Sequence, residues 1–144
     1  VTGALAICQL LQQNWSLQSP VASDIYWADT KVEAMDWTKV GKNFVIACYS
    51  PSGPVQAVPL SREAWQKTEL VMVDILVKVT GTVDDACTLR ETMRNEVYRI
   101  THLVELSTPL YPDVHVQREA YKTESGELAR IVIQVALVSF DIKS

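Results

Sequence analysis

The sequence predicts an α+β fold, with one mainly antiparallel or mixed β-sheet and two helices packed on one face. Three observations carry this. First, Val71, Val73, Ile75, Val77 and Val79 alternate with Leu70, Met72, Asp74, Leu76 and Lys78. That two-residue period sets a β-branched face against a core and a mixed face outward. Second, Ala86, Leu89, Met93, Val97, Ile100 and Val104 recur at steps of three and four, the spacing of an amphipathic helix. Third, Ile131, Ile133, Val135 and Leu137 share one parity of the last strand. Val132, Ala136, Val138 and Phe140 share the other, interrupted by Gln134. A strand apolar on both sides needs both covered. One helix layer can cover one side, and a neighbouring subunit is a natural candidate for the other.

The remaining elements follow along the chain. Leu5, Cys8, Leu11 and Trp15 give one apolar face to a helix expected over residues 3–14. Pro20 keeps it from continuing through the loop at 16–24. Residues 25–42 read ambiguously as a strand and a turn, with Trp27 and Trp37 as candidate anchors. Residues 43–49 (NFVIACY) have strand composition, and Ser50, Pro51, Gly53 and Pro54 form a turn after them. The alternating strand spans 69–80 and ends at Gly81. Thr82 is the expected N-cap of the long helix, and Asp84 and Asp85 favour its positive end. A two-proline loop at 107–113 leads to a hairpin, residues 114–122 and 129–142, turning at Glu124, Ser125 and Gly126.

A length of 144 residues suits one domain, 1–144, with room for a real core. Apolar residues make up 48% and charged residues 21%, which excludes a disordered chain. Asp74, Lys78 and Gln134 break the longest apolar runs, so no stretch reaches the roughly 20 residues of a bilayer-crossing helix. The first residues lack a basic leader and a cleavage site, so no targeting signal is expected. A net charge of −4 argues against a protein that grips nucleic acid by its phosphates. It suits a surface that DNA passes without sticking. Cys8, Cys48 and Cys87 form no CxxC pair and read as small buried hydrophobes in a reducing compartment.

A search for chemistry finds no phosphate-cradling glycine loop, no HExxH, no paired metal cysteines and no nucleophile elbow. No catalytic, cofactor-binding or metal residues are therefore expected. His102 falls near the end of the long helix and His115 on the hairpin, neither with a partner placed by the sequence. Asp84 and Asp85 read as helix-start acids. Asp74 either faces outward to solvent or meets a basic residue across an interface, with Arg118 or Arg130 to supply the charge. Trp15, Trp27, Trp37 and Trp65 are too scattered to stack bases and read as core or interface anchors.

The order of elements resembles the tail terminator and tail-completion proteins of long-tailed bacteriophages, with related head–tail joining proteins. The matching features are an N-terminal amphipathic helix (ALAICQLLQQNW) and a tryptophan-containing region leading to a short apolar strand (NFVIACY). A long strand (TELVMVDILVKV), an acid-capped helix (TVDDACTLRETMRNEVYRI) and a closing hairpin with ARIVIQVALVSF complete the match. The resemblance covers nearly the whole chain and carries no invariant signature. It implies a structural virion protein, not an enzyme, that forms a ring, usually hexameric, at the head-proximal end of the tail tube. The implied partners are further copies of itself, the tail tube protein and a head-completion or neck protein. DNA is only passing cargo, no membrane is involved, and assembly takes place in the host cytoplasm. A head–tail adaptor, a stopper or a tube protein has similar texture. A cellular homodimer that binds a small apolar ligand is the alternative from another class.

Ring formation needs two different patches on each subunit. The candidates are the loop at 50–62, with Pro51, Pro54 and Arg62, and the hairpin tip at 121–127, with Glu124. Asp74, Arg118 and Arg130 complete the candidate interface residues.

Overall fold

A computed structural model describes residues 3–18, 24–27, 44–51, 56–59, 64–103, 113–122 and 128–142, and the structural statements below concern these. In chain order the elements are α1 (Gly3–Asn14), β1 (Ile25–Trp27), β2 (Phe44–Tyr49), β3 (Gln56–Pro59) and β4 (Ala64–Lys78). Then come α2 (Val83–Leu103), β5 (Asp113–Lys122) and β6 (Leu128–Ile142). They form a mixed six-stranded sheet with the path β1-β2-β4-β6-β5. Only the β1–β2 pair is parallel; the others are antiparallel. The expected α+β architecture is what the chain adopts.

Strands β4 and β6, each of 15 residues, are paired from end to end, from Ala64 opposite Ile142 to Lys78 opposite Leu128. Because β6 fills one edge of β4 completely, the other edge is shared. Strand β2 takes Met72–Val77, and β3 takes the stretch from Trp65 to Thr68. Two expectations are corrected here. The long strand begins at Ala64 rather than residue 69, and a short strand lies inside the segment read as a loop at 50–62. Backbone pairing between these two stretches outweighs their mixed composition, which has no clean alternation to mark a strand.

One sheet face carries both helices. Ala4, Ile7, Cys8 and Leu11 of α1 and Met93, Val97 and Ile100 of α2 join Val71, Val73 and Ile75 of β4 and Ile131, Ile133 and Val135 of β6 in one core. Helix α2 starts where its cap predicts. The Thr82 hydroxyl accepts a hydrogen bond from the Asp85 amide at 3.1 Å, satisfying one of the first-turn amides.

The opposite face is not the exposed surface that its residues suggested. Val45, Ala47, Tyr49 and Leu76 form a second buried cluster. Asp74, Arg130 and Ala136 are fully buried, and Val132 and Val138 are nearly so. Most of the second face of the double-sided strand is therefore covered within a single chain, while Phe140 at its end is 53% exposed. Asp74, expected either outward or at an interface, is inside the chain. Of the tryptophans, Trp15 is half-buried against the core, while Trp27 is 39% exposed. Trp37 lies outside the described residues.

Polar contacts hold α1 along its length. The Gly3 amide donates to Glu69 Oε1 at 3.0 Å, placing an acid at the helix start. The approach is close, since a Cβ at Gly3 would lie 2.6 Å from the Glu69 carboxyl group and 2.7 Å from Leu137 Cδ1. Gln12 donates to the Ile25 carbonyl at 2.7 Å. At the far end Arg99 of α2 donates to the Asn14 carbonyl at 2.6 Å, a cation at the negative end of the helix.

Two substitutions test this layering. Ile133→Ala, in the fully buried centre of β6, is expected to lower the unfolding free energy by about 2–5 kcal/mol. Thr82→Ala should cost about 1 kcal/mol through the lost cap. Urea denaturation followed by circular dichroism reads both, and a Thr82→Ala loss as large as that of Ile133→Ala would contradict the assignment.

Candidate functional site

Two polar clusters stand out from the apolar sheet. The first is buried. Arg130 Nε donates to Asp74 Oδ1 at 2.9 Å and its terminal nitrogen to Oδ2 at 2.6 Å, a two-pronged pair with both side chains fully buried. The register explains the geometry. Asp74 lies opposite Val132 and Leu76 opposite Arg130, so the pair spans a diagonal between neighbouring strands on one face. The Tyr49 hydroxyl donates to Asp74 Oδ2 at 3.2 Å. Burial, and then the Asp74 charge, push the Tyr49 phenol well above its usual value, so it remains a neutral donor.

The second cluster joins α2 to β5, and a bulge creates it. Val116 lies opposite Val135, but Arg118 lies opposite Gln134, so Gln117 is an inserted residue. Its amide group accepts a hydrogen bond from Gln134. The insertion reverses the parity of the strand. Val114 and Val116 pack on the core, and beyond the bulge Glu119 and Tyr121 turn to the same side, toward α2. Glu119 accepts two bonds from Arg94, at 2.7 and 2.9 Å, and one from the Tyr98 hydroxyl at 2.6 Å. Tyr121 donates to Glu91 at 3.0 Å. The Arg90 and Arg94 guanidinium groups lie 4.7 and 4.3 Å from the ring centres of Tyr121 and Tyr98. The Arg94 bonds hold the Glu119 carboxyl below its usual value despite partial burial. Tyr98 is pushed up to about 12 by burial and by its bond to Glu119.

A smaller polar group ties the two helices. Glu96, 6% exposed, accepts from the Ser16 amide at 3.1 Å and hydroxyl at 2.9 Å and is paired with Arg99. Burial raises its carboxyl, but the bonds from Arg99 and Ser16 outweigh burial and leave it lowered.

Among the described residues no group of three or more His, Cys, Asp and Glu side chains could hold a metal ion. A depression of about 240 Å3 beside the start of α2 is lined by Phe44, Val77, Lys78, Thr82 and Asp85, without histidine or cysteine. Asp74, His102 and His115 do not converge. Asp74 is buried on the face away from the helices, His102 is exposed at the end of α2 against the Tyr98 ring, and His115 lies opposite Ala136 on β5. No described helix is long and apolar enough to cross a membrane.

The candidate interface residues fall into three groups. Asp74 and Arg130 meet each other within one chain. Arg118 is exposed beside the bulge and Pro51 is half-buried after β2. Pro54, Arg62 and Glu124 lie outside the described residues, as does the hairpin turn. Sequence reasoning offered Arg118 or Arg130 as a partner for Asp74 but placed the contact across an interface; the partner is Arg130, within the chain. It missed Glu119, Tyr98 and Tyr121, whose meeting depends on a bulge that no turn residue announces.

No protein-family model matches the chain, and no characterised protein matches it in sequence. In three dimensions it is similar to a chain of the "Virion of native gene transfer agent (GTA) particle", with a TM-score of 0.64 and 12% sequence identity. The superposition covers 96% of this chain and 94% of that one. At this identity the likeness is one of fold.

The buried pair makes a sharp prediction. Asp74→Asn leaves Arg130 buried without a counter-charge and should cost about 3–5 kcal/mol, whereas Asp74→Leu with Arg130→Met together should recover most of that loss. Independent, additive losses in the double variant would contradict direct pairing. The second cluster predicts an acid sensitivity. A carboxylate lowered in the folded chain contributes stability that is complete above its ordinary value of 4.5 and lost as pH falls through the folded value. Glu119→Gln should flatten this acid limb, measured by denaturation from pH 6 to pH 3 (roughly the range over which carboxylates titrate), and leave the neutral-pH slope unchanged.

Proposed function

We propose that the chain is a structural subunit of a phage-like particle, and within that class a ring-forming tail terminator or tail-completion subunit that caps the tail tube and joins it to the head. The observation that carries the reading is end-to-end agreement of fold with a chain of a gene transfer agent virion, without large unmatched segments in either chain. The resemblance in order of elements, drawn from the sequence alone, points the same way. The buried Asp74 and Arg130 are paired with each other inside the sheet, which supports a structural role for them.

A ring subunit must repeat one contact geometry around an axis, and a stiff body favours this. Here the two longest strands are zipped over their whole length and both helices are tied to the sheet by charged bonds. Of the candidate contact residues, Arg118 is exposed and carries its charge beside the Gln117 bulge, where the strand is re-aimed. It is the described residue best placed to meet an acidic patch on the next subunit. Asp74 and Arg130 serve the ring from inside, by holding the sheet.

Light scattering over a range of concentrations tests this. A discrete assembly near six subunits is expected, and Arg118→Glu should weaken it at least tenfold without changing the melting temperature. A tight dimer that is insensitive to Arg118→Glu would move the assignment to a ligand-binding homodimer.

A further inference from the structure

The two ends of the β4–β6 pair differ in shape. At one end Phe140 of β6 stands 53% exposed on the sheet face away from the helices. At the other end lies the depression of about 240 Å3 beside the start of α2. Its floor is apolar, formed by Phe44, Val77, Ala86 and Leu89, and Lys78 and Asp85 are exposed on its rim. An apolar cavity of roughly 150 Å3 takes up benzene, so a phenyl ring fits here. Phe140 cannot reach the depression of its own chain. It lies opposite Gln66, about 36 Å from Val77 along β4 at roughly 3.3 Å per residue. We propose that Phe140 of one copy seats in this depression of the next, joining copies head to tail.

This contact presupposes the ring proposed above and supplies its anchor. An aromatic side chain filling an apolar pocket commonly carries much of the energy of a protein–protein contact. A knob and a hole at opposite ends of one chain make the contact heterologous, which is what closure into a ring requires. The two surfaces also differ in charge. Arg118 lies opposite Gln134, on the same sheet face as Phe140, and is exposed. Around the depression Asp84 and Asp85 are exposed and outnumber Lys78, which leaves that side acidic. An incoming Phe140 face is therefore attracted by its basic residue. Two depressions brought face to face would set acid against acid, so the charges favour head-to-tail joining over that two-fold pairing.

Two variants of the full chain, both at exposed positions, separate the halves of the contact. Phe140→Ala removes the knob and keeps the depression. Thr80→Trp obstructs the depression, which Thr80 lines, and keeps the knob. In light scattering each variant alone should assemble more weakly than the wild type by roughly tenfold or more, with its melting temperature unchanged. Mixed in equal amounts, the two should form a one-to-one dimer, because one intact knob still meets one intact depression. Wild-type assembly by either variant would overturn the knob contact and leave the ring reading in place, and so would a mixture that remains monomeric. A wild-type chain that stays a monomer or stops at a dimer would overturn both.

Discussion

The fold depends on one constraint, the register between β4 and β6. Strand β6 is apolar on both faces over most of its length, and β4 is so from Leu70 to Val77 apart from Asp74, so a slip of two residues would preserve the inside–outside pattern there. Hydrophobic burial alone scarcely distinguishes those registers. The Asp74–Arg130 pair does. A two-residue slip moves one partner by roughly 7 Å along the strand, breaks both hydrogen bonds and leaves two buried charges unpaired. That penalty, about 3–5 kcal/mol per broken pair, is comparable with a large share of the stability of a domain this size. The pair is therefore better understood as specifying an arrangement than as adding net stability. Tyr49 extends the effect to β2 by occupying a lone pair of Asp74.

Other contacts inherit that register. With β6 fixed, the Gln117 bulge determines which side of β5 faces α2, and it delivers Glu119 to Arg94 and Tyr98. The same α2 carries Glu96 and Arg99 to the end of α1. Charged bonds thus run from β5 through α2 to α1, while the apolar core lies beneath them. The two systems are complementary. The core supplies most of the cohesion, and the polar bonds select one helix placement among several that would bury similar area.

Much of the framework was legible in the sequence, for clear reasons. Helix α1 and the hairpin strands agree with their periodicities to within a residue, and Thr82 marked the start of α2, because long amphipathic segments and side-chain caps are local signals. What escaped was non-local. Strand β3 and the first residues of β4 are stabilised by pairing with each other, and neither has a pattern of its own. Asp74 reads as an outward residue in any alternation, and only the diagonal position of Arg130, far along the chain, makes its burial affordable. The bulge is likewise silent, since Gln117 is no glycine and resembles its neighbours. The contact candidates in the loop and the hairpin tip came from segment length, which says where a surface is free to vary and nothing about what meets it.

The proposed ring role turns on contact geometry, since small differences in contact angle decide whether copies close into a ring or continue as a filament. Electron microscopy of the purified chain at high concentration tests that most directly. Class averages should show closed, rotationally symmetric rings with an open centre. Two-fold particles without a central opening, or unbounded filaments, would contradict a ring-forming role.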